Sequence, residues 1–149
     1  MKLQSVKKIL CATDLSEESE KAVEFAASLA SGLKGAQLVL ISVIKPIPAY
    51  SEDFGADSSI MESEAELKNK RENEISEIVQ GIKKEGVTNV TGIVTIGDPV
   101  LKILEMSKEI KADLIILGNR KRGFTKGIFL GSVSERVASN SSVSVLIVR

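Results

Sequence analysis

Four cations, Arg120, Lys121, Arg122 and Lys126, fall in a glycine-dotted stretch between an apolar run and a helix-capping pattern: LIILGNRKRGFTKGIFLGSVS, Leu114 to Ser134. No acid lies between Gly118 and Ser134. The chemistry this suits is phosphate binding. Ser132 to Glu135 reads as a capping box, with Ser132 as N-cap and Glu135 three residues on. The helix it opens has unpaired N–H groups and a positive dipole end, which favour an anion. Gly131 lets a ligand approach the backbone closely. The same residues also describe an ordinary solvated loop ahead of a capped helix, and spacing alone leaves both readings open. A Ser132 hydroxyl used as a cap would compete with a phosphate for that group.

Other chemistries are excluded by composition. Histidine is absent, which removes Ser-His, Cys-His and His-metal schemes. No Walker GxxxxGK[ST] pattern occurs and no paired carboxylates lie beside the basic loop. The single cysteine, Cys11, sits in an apolar run and reads as a small core residue, so a disulfide within the chain is impossible. Twenty basic and twenty acidic residues give a net charge of zero, so no global field recruits nucleic acid. Aromatic residues make up 3% of the chain, too few for base-stacking between the cations. The apolar run Ile9 to Ala12 is too short for a signal peptide or a membrane span. The expectation is a cytoplasmic protein with no membrane or nucleic-acid partner and no dedicated metal or catalytic residues.

The elements that must position the loop follow in order. Lys8 to Thr13 is a strand, and Asp14-Leu15-Ser16 turns into a helix with Ser16 as N-cap and Glu17 and Glu18 in its first turn. Ala22, Ala26, Leu29, Ala30 and Leu33 give that helix an apolar face to about Lys34, and Gly35 stops it. Gln37 to Ile44 is a second apolar strand. Residues 45–60 are irregular and rich in turn formers; a flap over a pocket and a plain linker are both open. Met61 to Glu85 is a long helix with Ile75, Ile78, Val79 and Ile82 inward and a first half expected to face solvent. Val90 to Thr95 is a strand. Gly97-Asp98-Pro99 then supplies turn, N-cap and first-turn proline for a helix to about Ile110. Asp113 to Leu117 is the fourth strand, Ser132 to Asn140 the last helix and Ser144 to Val148 the last strand. This alternation over a chain of 149 residues predicts one α/β domain, 1–149. Its sheet is mainly parallel, open and five-stranded, with helices on both faces.

Gly118, Gly131 and Ser132 stand at the spacing of Gly-x2-Gly-x9-Gly-Ser/Thr, and the tail GSVSERVASNSSVSVLIVR continues the likeness. The pattern resembles the universal stress protein family, and the similarity extends over essentially the whole chain. The position of the middle glycine is Lys121, a departure from the motif. The resemblance implies a Rossmann-like, adenine nucleotide alpha hydrolase-like sheet of order 3-2-1-4-5. Its nucleotide site would lie at the carboxyl ends of the first and fourth strands, where the strand order reverses. By resemblance, Ala12, Thr13 and Asp14 receive the adenosine end, with Asp14 an acceptor for ribose hydroxyls, and the Val43 backbone reads the adenine edge. Leu117, Gly118, Lys121, Gly131, Ser132, Val133 and Ser134 complete the set toward the phosphates. The implied ligand is ATP, or AMP or ADP, with Mg²⁺ held mostly by phosphates and water. The family further implies a homodimer through the C-terminal strand, an apolar sheet edge on this order.

Three functions fit. One is a nucleotide-binding regulatory protein of the stress-response type. Another is a dimeric interaction module of the same fold that no longer binds nucleotide, for which Lys121 is the main support. The third is a slow ATP hydrolase. Against it, the related ATP-pyrophosphatase class carries an SGGxDS loop where this chain has ATDLSEES.

Overall fold

The computed structural model describes residues 1–46, 58–119 and 131–149, with backbone only for 58–61. After a short 3-10 turn at Leu3–Ser5 come β1 (Lys8–Ala12), α1 (Glu17–Gly32), β2 (Gln37–Ile44), α2 (Ser58–Lys84) and β3 (Val90–Ile96). These are followed by α3 (Pro99–Glu109), β4 (Leu114–Gly118), α4 (Ser132–Asn140) and β5 (Ser144–Val148). The strands form one sheet in the order β3-β2-β1-β4-β5, and all four pairings are parallel. The expected fold and strand order are met.

Both sheet faces are buried, as a parallel sheet requires. Side chains alternate across the strands, so two cores form. Ile9, Cys11, Leu38, Leu40, Leu114 and Ile116 pack with α1 and α2. Leu10, Val39, Ile41, Ile115 and Leu117 pack on the opposite face with Val100 and Ile103 of α3 and Val137 of α4. Cys11 is fully buried, and desolvation pushes its thiol up to about 12, so it stays a protonated core group and not a nucleophile.

The first half of α2 faces solvent as expected, with one half-buried side chain turned inward. The Arg71 guanidinium reaches the sheet and donates to the fully buried Ser42 hydroxyl at 2.7 Å. It also lies 3.6 Å from Glu74. Asp113 was expected to begin β4. It lies one residue outside the strand, and its Oδ2 accepts from the backbone N–H of Lys7 and Lys8 at 2.8 and 2.9 Å. That carboxylate joins the amino ends of β1 and β4. The opposite, carboxyl ends of the same two strands are the point where the strand order reverses.

Candidate functional site

One wall of the crevice is the turn from β1 into α1. Thr13 continues the β1–β2 ladder by donating its N–H to Ile41 O at 2.9 Å. Its buried hydroxyl lies 3.0 Å from Ser19 Oγ and accepts from Leu15 N at 3.1 Å. Leu15 adopts φ 66°, a left-handed conformation that a leucine holds only when its surroundings impose it. Asp14 is exposed, and its Oδ1 accepts from both the backbone N–H and the hydroxyl of Ser16. Ser16 caps α1 as expected, accepting from Ser19 N at 3.3 Å. The turn is thus held by short polar side chains, with one carboxylate at the mouth.

The other wall is the end of β4 with the start of α4. Here the capping expectation is corrected. Gly131, with extended backbone, is the N-cap, Ser132 is the first helical residue, and no side chain caps the helix. The first helical bond runs from Glu135 N to Gly131 O at 2.9 Å, which puts Glu135 one position too far along for a capping box. The reason is a contact from the end of β4: the Gly131 N–H is taken by Asn119 Oδ1 at 3.0 Å, fixing the chain before Ser132. The exposed Ser132 hydroxyl is therefore not committed to a cap. The backbone N–H groups of Ser132, Val133 and Ser134 have no partner inside the helix, as in any first turn. The Ser134 hydroxyl, by contrast, is buried and donates to Gly118 O at 2.8 Å, so only its backbone can serve a ligand.

Gly118 has a packing role that the motif does not reveal. A methyl group there would collide with the Glu18 carbonyl and lie 2.9 Å from Ser19 N. The first turn of α1 rests directly on this residue, which joins the two walls.

Of the residues expected at the site, Ala12, Thr13, Asp14, Gly118, Gly131, Ser132, Val133 and Ser134 converge on the carboxyl ends of β1 and β4. Leu117 is buried in the α3/α4 core, so only its backbone is available. Val43 lies on β2, paired with Thr95, its side chain packed against the same core. Lys121, with the rest of residues 120–130, lies outside the described residues, as do residues 47–57 of the irregular stretch. Sequence reasoning missed Asn119. The only signal was a polar residue directly after an apolar strand and its glycine, which does not by itself indicate a buried amide.

Five of the six buried polar side chains among the described residues, Thr13, Ser19, Ser42, Asn119 and Ser134, gather toward this end of the sheet. Buried polar groups need partners, and their concentration here marks the end that is not simply core. Electrostatics separates the two helix starts that meet at the crevice. The first turn of α1 holds Glu17, Glu18 and Glu20, whereas that of α4 holds only Glu135. A groove of about 340 Å³ between α1 and α2 is rimmed by Glu20, Glu24 and Glu85 and would repel a phosphate. Of the two helix starts, that of α4 is therefore the more favourable to an anion. Among the described residues no cluster of His, Cys, Asp or Glu could hold a metal, and no helix is long and apolar enough to cross a membrane.

The comparisons with known proteins agree with this geometry. Residues 5–149 match the model of the universal stress protein family. A universal stress protein of Methanocaldococcus jannaschii is 33% identical, over 96% of this chain and 94% of its own. The solved UspA from Lactobacillus plantarum superposes with a TM-score of 0.84 over 97% of this chain and 98% of its own, at 19% identity, a likeness of fold alone. A universal stress protein solved in complex with cAMP has a TM-score of 0.68 and 27% identity, covering 97% of each chain. With the sheet order, the reversal point and the α4 start in place, the chain belongs to the universal stress protein family.

Proposed function

We propose that this chain is a regulatory protein that binds an adenine nucleotide, ATP or its mono- or diphosphate, at the carboxyl ends of β1 and β4. The observation that carries the proposal is the uncapped start of α4. Three backbone N–H groups and the Ser132 hydroxyl face the crevice end of the sheet there with no helical or capping partner. A relative 27% identical was solved with cAMP, which supports the nucleotide class. Ala12, Thr13 and Asp14 would hold the adenosine end and the Val43 backbone the base. Gly118, Gly131, Ser132, Val133 and Ser134 would face the phosphates, with Lys121 as an added cation and Mg²⁺ held by the phosphates and water. The protein would act in the cytoplasm as a homodimer joined along β5, with binding read out by a protein partner.

Mass spectrometry of the denatured, purified protein tests this. Co-purifying ATP, ADP or AMP near one per chain is the expected result. An empty protein that also gives no thermal shift with added nucleotide and Mg²⁺ contradicts it. Lys121 in place of the motif glycine favours a second reading, an interaction module without nucleotide. Binding that appears only in Lys121→Gly would establish that reading.

A further inference from the structure

We propose that the Asn119 carboxamide is a ligand-binding group: its Nδ2 donates to the phosphate held on the first turn of α4. The inference rests on the nucleotide reading above and adds a residue to it. Asn119 is 5% exposed, and its Nδ2 is the one buried side-chain polar atom among the described residues with no hydrogen-bond partner. Its orientation is fixed by chemistry. The Gly131 N–H can only donate, so the carboxamide oxygen must face it, at 3.0 Å. Turning the amide over would set donor against donor. The backbone beneath is also fixed, because Asn119 N donates to Val148 O at 3.0 Å. The NH₂ is therefore held unpaired beside the residue that precedes α4.

A purely structural role does not account for that nitrogen. Holding the Gly131 N–H needs only an acceptor. Aspartate would provide one, with a charge favoured near a helix N-terminus. Asparagine does the same task while keeping a buried donor that is costly unless satisfied. The Gly131 N–H, spent on Asn119, is lost to the anion, and Nδ2 replaces it from the same side chain. A phosphate satisfies the orphan donor with a charge-assisted hydrogen bond. The ligand class is a phosphate monoester or polyphosphate, discriminated from the bare nucleoside.

The test compares AMP with adenosine on the whole protein. Asn119→Asp keeps the acceptor for Gly131 and removes the donor. The expected result is an AMP affinity at least about tenfold weaker, from loss of a hydrogen bond to a charged group, with adenosine affinity and melting temperature unchanged. Because the new carboxylate could repel AMP by charge alone, a second reading comes from ¹⁵N-labelled wild-type protein. One Asn119 side-chain amide proton should move downfield with AMP and not with adenosine. Equal AMP affinity in the variant, equal loss of AMP and adenosine, or amide signals unmoved by AMP would each overturn the assignment while leaving nucleotide binding intact. Wild-type protein that binds neither ligand overturns the nucleotide reading and this inference together.

Discussion

Gly118 and Asn119, adjacent at the end of β4, do different work for the same crevice. Gly118 has no side chain because α1 occupies the space one would fill. Asn119 has a side chain because the start of α4 must be held from below. The motif glycine thus has a packing reason that is independent of any ligand. Gly118→Ala should destabilise the fold by about 1–3 kcal/mol, the usual range for forcing extra volume into packed structure. Urea denaturation measures this, and an unchanged midpoint would show that α1 shifts without cost. Spacing made Gly118, Gly131 and Ser132 legible, since two glycines and a serine around a basic loop are visible in one dimension. The orphan amide of Asn119 was not legible. Its meaning depends on burial and on a partner twelve residues away, and neither leaves a local pattern.

Most elements could be read from the chain because their signals are local. Ser16 and Asp98 cap α1 and α3 as read, with Asp98 Oδ1 accepting from Leu101 N at 2.9 Å. Pro99 opens α3, and the bounds of β2, α4 and β5 are met residue for residue. The capping box of α4 failed because a distant side chain, Asn119, captured the Gly131 N–H and moved the cap back by one. The polar half of α2 faces solvent as read, with Arg71 the exception. Periodicity reports apolar faces and is silent on one arginine that bends back to a buried hydroxyl. The Arg71–Ser42 bond gives an asymmetric prediction. Arg71→Met leaves the Ser42 hydroxyl buried without this donor and should cost about 1–3 kcal/mol. Ser42→Ala removes the buried polar group itself, and Arg71, with a side chain 19% exposed, can turn to water, so the cost should be well below that. Thermal denaturation of the two variants distinguishes them. Equal destabilisation would mean the pair acts through packing and not through its hydrogen bond.

At the scale of the whole molecule, the alternation of strands and helices dictated a parallel sheet, and the reversal point between β1 and β4 located the crevice. The strand order itself came from the family likeness, because local pattern does not say which strands are neighbours. The same order leaves β5 at an edge, with Val145, Leu146, Ile147 and Val148 only partly buried. Exposed apolar edges pair, and the proposed dimer uses this one. Ile147→Lys should convert a dimer to a monomer by light scattering at matched concentration. A wild-type mass of one chain, or a variant that stays dimeric, would contradict the β5 interface. The proposed function depends on the crevice taking an adenine nucleotide. Isothermal titration of the purified, nucleotide-free protein with ATP and Mg²⁺ tests it most directly. Saturable heat with a stoichiometry near one per chain is the expected result. Absence of heat, together with no thermal stabilisation at millimolar ATP, would contradict it and leave the fold as an interaction module.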